Sequence, residues 1–265
     1  SDLALLGVQR ALKKATNTTD EFSGPLRIAG PRTTFQAILW PVIEEFCERY
    51  PDIQPDVLLV DLDPQGALSA GLGVPHYELA STVHNLMIEP RVSIDDVLIH
   101  TRVPGLDLVP SNIDLSAAEI QLVNEVGREQ SLARALHPVL DRYDYVLIDC
   151  QPSLGLLTVN ALACADSVII PMECEYFSLR GLALLTDTVD KVRERLNPEL
   201  ELEGILATMY DPRTLHTREV MARVIERFGD LVFDTVITRT VRFPETSVAG
   251  EPITTWAPKS LGALA

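Results

Sequence analysis

Two short, uninterrupted apolar runs constrain the fold of this chain more than any other feature. The runs are Val57–Val60 and Tyr145–Ile148, and each is followed at once by an aspartate, Asp61 and Asp149. A short apolar run without alternation is typical of a parallel strand that is buried on both faces. We therefore predict a parallel sheet with helices on both sides and carboxylates at the carboxyl ends of two strands.

The other segments alternate between strand-like and helix-like patterns. This alternation predicts the α/β class, with a doubly wound and mainly parallel sheet. The predicted strands are 26–29, 57–60, 106–109, 145–148, 167–170, 202–208 and 232–237. The predicted helices are 3–15, 38–50, 94–99, 114–140, 155–164, 178–196 and 215–228. Pro171 is expected to end its strand, and residues 238–265 are expected to lack a closing helix.

Charge and cysteine usage restrict the partners and the compartment. The formal net charge is −16, and a strongly acidic chain repels nucleic acid as a whole. Residues 204–265 have equal numbers of acidic and basic side chains, so this region leaves room for a local basic patch. The cysteines lack metal-ligand spacing, and no apolar run approaches the about 18 residues of a membrane span. These features predict a cytoplasmic protein with free, buried thiols and no membrane contact.

Three aspartates at predicted strand ends are the candidate catalytic residues. Asp149 ends one buried strand, and Asp61 and Asp63 end its neighbour. The carboxyl ends of parallel strands are where α/β sheets bind ligands, and carboxylates suit Mg²⁺ and its bound waters. Asp149 is therefore placed to orient Mg²⁺ through its waters. The alternative for each one singly is a turn former or a helix cap, because aspartate commonly ends strands.

Longer strings around these aspartates resemble the ParA/Soj partition ATPases, which are relatives of MinD. The resemblance covers about residues 57–265, and the family usually has proline where this chain has Gln151. The strings follow the family's order and are Val57–Gly66, Leu108–Ser111, Asp149–Gly155, Ile170–Phe177, Met209–Arg213, Phe228–Ile237 and Thr240–Thr246.

The resemblance implies a P-loop-NTPase-like fold and an ATPase that uses ATP and Mg²⁺. It implies catalytic roles for Asp61, Asp63 and Asp149, with Asp149 and Asp61 as the metal residues. It also implies nucleotide contacts from Gln65, Gly66 and Pro152. Family members bind DNA non-specifically through arginine–phosphate contacts, which implies a DNA-facing surface made of Arg213, Arg239 and Arg242. The alternative for these arginines is a solvated surface loop. A ParB-like partner is implied as well, and a monomer is expected unless bound ATP supports a dimer.

The chain has no lysine where this family holds the nucleotide phosphates. Its only lysines are Lys13, Lys14, Lys191 and Lys259. Family members open with a strand and a Lys-Gly-Gly-x-Gly-Lys-Thr-Thr loop, whose lysines neutralise phosphate charge. The corresponding segment here contains Pro31, which removes an amide donor, and Arg32, which does not replace a lysine in a tight glycine loop. ATP binding and hydrolysis are therefore expected to be lost.

Residues 1–56 resemble instead the start of a LysR-type effector-binding domain, which is a flavodoxin-like or periplasmic-binding-like unit. The residues that carry this resemblance are Gly24–Ala29, Ile38–Phe46 and Glu48–Ile53. It implies that a helix and a strand–helix unit replace the P-loop unit, and that residues 1–56 join 57–265 in one α/β domain. Thr33 and Thr34 are then candidates for binding a small anion at a helix start, or form only a helix cap.

Three functions remain open on these patterns. The first is a ParA-like partition ATPase by ancestry, with the phosphate-binding loop replaced and the nucleotide site disabled. The second is an engineered or recombinant chimera without activity. The third is a small-anion sensor that uses the helix start after Ala29. The ordered strings around the aspartates favour the first.

Overall fold

The computed structural model describes residues 26–31, 56–250 and 253–264. Within them, one sheet has the strand order β3-β4-β2-β5-β1-β6-β7-β8. Strand β3 is antiparallel to β4, and the other pairs are parallel. The prediction of a mainly parallel α/β sheet is confirmed. The strands are β1 (Leu26–Pro31), β2 (Val57–Leu62), β3 (Ile99–His100), β4 (Leu106–Val109), β5 (Tyr145–Cys150), β6 (Ser167–Glu173), β7 (Glu201–Tyr210) and β8 (Val232–Thr238).

Strand β2 is buried on both faces because its side chains alternate between two cores. Leu58 and Val60 pack in one apolar cluster, and Val57 and Leu59 pack in the other. The exposed fraction of each of these side chains is at most 1%. Full burial of such a side chain contributes roughly 1.5–3 kcal/mol, so the uninterrupted apolar run reflects two covered faces.

Helices cover both faces of the sheet. The larger cluster includes side chains of α2, α4, α5, α6 and α7, and the smaller one includes Leu68 of α1 and is contacted by Phe243 of α8. The α-helices are α1 (Ala67–Gly71), α2 (Val83–Ile88), α3 (Ala118–Gln121), α4 (Ser131–Leu136), α5 (Leu156–Cys164), α6 (Tyr176–Arg195), α7 (Leu215–Phe228), α8 (Arg242–Ala249), α9 (Ile253–Trp256) and α10 (Leu261–Leu264).

The prediction of a single helix over 114–140 is wrong. The segment consists of α3, α4 and short 3-10 turns, with a break at Gly127, whose φ of 68° is left-handed. Residues 94–99 are also not one helix, because a 3-10 turn at Ile94–Asp96 is followed by β3. The buried apolar side chains of this segment face one core, and their spacing imitates helical periodicity; they are Leu115, Ala118, Leu122, Leu132, Leu136 and Val139. Ile120, Val123 and Val126 are exposed instead.

Two further predictions, on the end of strand β6 and on the segment after β8, are corrected as well. Strand β6 continues through Pro171 to Glu173. Proline is tolerated there because β1 pairs with β6 only at Ser167 and Val168, so that no described strand pairs with this edge of β6 at Pro171. The segment after β8 contains α8, although no closing helix was expected there. The helices predicted at 3–15 and 38–50 lie outside the described residues.

The cysteines behave as predicted where the structure describes them. Cys150, Cys164 and Cys174 are buried and free, whereas Cys47 lies outside the described ranges. Across the described parts of the chain, no helix is both long enough and apolar enough to cross a membrane.

Candidate functional site

Strands β2 and β5 bring the predicted catalytic aspartates to one edge of the sheet. Asp61 pairs in register with Asp149, and Asp63 follows β2 directly. On the other side of β5, Gly30 of β1 pairs with Asp149. The three carboxylates are at most 4% exposed. A parallel sheet places them at its carboxyl edge, where α/β folds bind ligands.

The Asp61 carboxylate is engaged by the protein through both oxygens. Its Oδ2 accepts hydrogen bonds from the Ser69 hydroxyl at 2.6 Å and from the Ser69 backbone N–H at 2.9 Å. Its Oδ1 accepts from the Asp63 backbone N–H at 3.2 Å. Burial raises the pKa of Asp61 to about 6, and these hydrogen bonds oppose the rise. The arrangement anchors β2 to the start of α1.

Ser69 connects two segments of this edge. Besides its bond to Asp61, its hydroxyl oxygen accepts from the backbone N–H of Ser111, which follows β4, at 3.2 Å. Ser69 is not among the site residues that the sequence predicted. The single local signal was a hydroxyl in the turn after two strand-end aspartates.

The residues predicted to contact nucleotide flank the aspartates. The backbone N–H of Gln65 donates to Asp63 Oδ1 at 2.9 Å, which closes a tight turn. Gly66 caps α1 in a left-handed conformation, with φ 61° and ψ 33°. Pro152 lies in the exposed loop after Asp149. Thr33 and Thr34 lie outside the described residues, so their anion-binding role stays a prediction.

The loop at 151–155 begins two residues after Asp149 and is tied to helix α5. The Thr158 hydroxyl donates to the Ser153 carbonyl at 2.6 Å.

A cavity of about 500 Å³ opens beside this loop, between β6 and α6, and Glu173 is the one charged side chain among its described lining residues. Such an apolar wall offers little to neutralise phosphate charge. Burial raises the pKa of the Cys150 thiol well above its ordinary value.

The carboxylates fit a magnesium ion only in part. Within the ranges that the structure describes, no three His, Cys, Asp or Glu side chains are arranged to hold a metal ion. Magnesium is usually held by one or two carboxylates together with waters and substrate phosphates. Asp149 and Asp63 match that limited donor set. Asp61 matches it less well, because both of its oxygens already accept from the protein.

The predicted DNA-facing arginines lie at the same sheet edge, after β7 and β8. Arg213 is 86% exposed on its side chain and pairs with Asp211 at 2.8 Å, and this hydrogen bonding lowers the pKa of Asp211 to about 2. Arg242 begins α8 and pairs with Glu245 at 2.8 Å. The backbone N–H of Arg239 donates to the Tyr210 carbonyl at 3.1 Å. Two of the three positive charges are therefore partly neutralised by neighbours.

Sequence comparison places the chain among chromosome-partitioning proteins. Residues 52–202 match the family described as "AAA domain". An uncharacterized protein of Mycobacterium tuberculosis is 86% identical over 209 residues, which are 79% of this chain and 66% of that protein. The sporulation initiation inhibitor protein Soj of Bacillus subtilis is 45% identical over 207 residues, 78% of this chain and 81% of Soj. The chain thus spans about two thirds of the length of its mycobacterial relative.

Solved structures agree with this placement. Cobyrinic acid a,c-diamide synthase from Mycobacterium smegmatis, solved with bound ADP and magnesium, has a TM-score of 0.73 and 36% sequence identity. The match covers 86% of this chain and 91% of that one. The sheet with its paired Asp61 and Asp149, the family match and the similarity to Soj lead to one conclusion. The chain belongs to the ParA/Soj family of partition ATPases.

Proposed function

We propose that this chain is a ParA-like partition protein in which the phosphate-binding loop is replaced, so that it neither binds nor hydrolyses ATP appreciably. One observation carries the proposal. Strand β1 lies between β5 and β6, next to Asp149, where the family's phosphate loop would follow the first strand. The residues after β1 are Arg32, Thr33 and Thr34, and no lysine lies between Lys14 and Lys191.

The family match supports a junction near residue 56. It begins at residue 52, after the first strand. Asp56 is joined to the rest of the sheet, because its N–H donates to Asp144 Oδ2 at 2.9 Å and its carbonyl accepts from the Asp144 N–H at 2.8 Å. We propose that a LysR-type unit, residues 1–56, replaces the P-loop unit in one domain shared with 57–265. An engineered or recombinant origin fits this proposal equally.

The remaining carboxylates have distinct proposed roles. In a site with a phosphate loop, Mg²⁺ would neutralise phosphate charge during phosphoryl transfer. Asp149 would hold that ion through its waters, and Asp63 would orient the attacking water. Asp61 would instead hold the Asp63 turn through the Asp63 backbone N–H, and the start of α1 through Ser69. Without the loop, the charge neutralisation that carries most of this catalysis is missing.

Steady-state phosphate release with Mg²⁺ and ATP tests the proposal. We expect a rate at background for this chain. Replacing residues 30–34 by the family's Lys-Gly-Gly-x-Gly-Lys-Thr-Thr loop should raise the rate at least about tenfold, because it restores backbone donors and lysine charge. The same replacement with Asp149→Ala is the control and should stay at background. A parental rate equal to that of a family member with the lysine loop would contradict the proposal.

The proposal includes non-specific DNA binding through Arg213, Arg239 and Arg242, in support of partition with a ParB-like protein. The supporting observation is that all three follow β7 and β8 at one sheet edge. We expect weak, salt-sensitive binding of duplex DNA, because phosphate contacts release counterions. Arg213→Ala and Arg242→Ala should each weaken it, and Lys191→Ala on α6 should not. Binding that is unchanged in an Arg213→Ala, Arg242→Ala double variant would rule this surface out.

A further inference from the structure

The loop at 151–155 follows Asp149 and Cys150. It is contacted by a glutamate that lies on another segment of the chain. Glu119 of α3 places its Oε1 3.4 Å from the backbone N–H of Leu157 and 3.4 Å from the Gln151 side-chain amide. Gln151 is the first residue of the loop, and Leu157 lies in the first turn of α5. One carboxylate therefore contacts both ends of the loop.

Gly155 makes room for this carboxylate. It is the N-cap of α5 and has no side chain with which to cap the helix. A Cβ built at Gly155 would overlap the Glu119 carboxylate. Glu119 thus occupies the place of an N-cap side chain, although it lies 38 residues away from Leu157 in sequence. Free amides and the helix dipole both favour a negative charge at this position.

We infer that Glu119 is a positioning residue that fixes the loop after Asp149 by capping α5 from another segment. It acts through its contacts with the loop and with the start of α5. The Gln151 contact is particular to chains like this one, because the proline that is usual in the family has no side-chain amide. The inference goes beyond the proposed function, because it holds whether or not the chain binds ATP.

Alkylation of Cys150 reports on this loop in the nucleotide-free protein. The Cys150 thiol lines the cavity beside the loop and is 7% exposed. When the loop opens, the thiol gains access to solvent and reacts faster with iodoacetamide. Mass spectrometry separates its labelling from that of Cys164 and Cys174, which are buried outside the loop. Those two thiols therefore serve as internal references for global unfolding.

Loss of the carboxylate should open the loop selectively. We expect Glu119→Ala to label Cys150 about fivefold faster, in line with the usual effect of losing a helix cap. Cys164 and Cys174 should keep their rates. Glu119→Gln retains an acceptor oxygen of the same reach and should restore most of the protection. Glu125→Ala, at an exposed glutamate of the same segment, is the matched control and should label like the parent.

Gly155→Ala tests the same contact from the other side. The added methyl group should displace the Glu119 carboxylate and accelerate Cys150 labelling as much as Glu119→Ala does. The double variant should then be no faster than either single one. Three results would overturn the inference: unchanged labelling in Glu119→Ala, equal acceleration of all three thiols, or additive effects of the two substitutions.

Discussion

Gly66→Ala should destabilise the protein by about 3 kcal/mol, the sum of a strained backbone and a steric overlap. Gly66 has a φ of +61°, where an L side chain costs about 1 kcal/mol or more. A Cβ there would also lie 2.5 Å from His76 Cδ2 and 2.9 Å from the Ser111 carbonyl oxygen. His76 is only 3% exposed and the second atom is backbone, so neither contact can move away cheaply.

Gly127→Ala is the matched control for this change. Gly127 has nearly the same conformation, with a φ of +68°, but its added Cβ would meet only the tip of the Arg134 side chain, at 3.2 Å. We expect a loss of about 1 kcal/mol from the backbone alone. Urea denaturation of both variants measures the difference. Equal losses would show that the packing of His76 and Ser111 around Gly66 has no energetic importance.

The second large effect is a pH dependence of stability that originates in Asp61. Its pKa in the folded protein is about 6, against an ordinary value of 3.8, because the carboxylate is buried. The folded chain therefore binds this proton more tightly than the unfolded chain does. The stabilisation from protonated Asp61 is fully present below about pH 4 and is lost as the pH rises through 6. A shift of about two pKa units corresponds to about 3 kcal/mol.

Comparison with Asp61→Asn isolates this contribution. In metal-free buffer, the stability of the parent relative to the variant should fall by about 2.4 kcal/mol between pH 4 and pH 7, which is most of the full effect. Asp95→Asn is the control of opposite sign. The hydrogen bond from Arg142 lowers the pKa of Asp95, so the parent should gain stability relative to this variant as the pH rises toward 4, and the difference should be nearly flat above about pH 5. Parallel pH profiles for the parent and Asp61→Asn would contradict the assignment.

The strands and the edge that carries the aspartates could be predicted from local sequence. Uninterrupted apolar runs such as Val57–Val60 arise only where both faces are covered, and a strand-end aspartate such as Asp149 then has one possible location. The predicted helix at 215–228 matches α7 residue for residue. These features depend on neighbours within a few residues, and for this reason they are visible in one sequence.

The contacts that shape the site could not be predicted in this way. Ser69 reaches Asp61 and Ser111, and Glu119 reaches Leu157. These partners are between 8 and 42 residues apart. The one local signal is the Ser69 hydroxyl in the turn after Asp61 and Asp63, and it does not identify the partners of Ser69. The predicted helix over 114–140 failed for a related reason. The buried apolar side chains of that segment pack against one core, so they recur at nearly helical spacing. The backbone nevertheless breaks at Gly127.

Titration of the chain with a fluorescent ATP analogue and Mg²⁺, in parallel with Asp149→Ala, tests the central claim most directly. The claim is that the family's carboxylate edge persists without the loop that holds phosphate. It predicts no saturable binding by either protein, because residues 32–55, which follow β1 in the sequence, contain neither lysine nor glycine. Tight binding by the parent that is lost in Asp149→Ala would contradict it, and would mean that another group replaces the missing lysine.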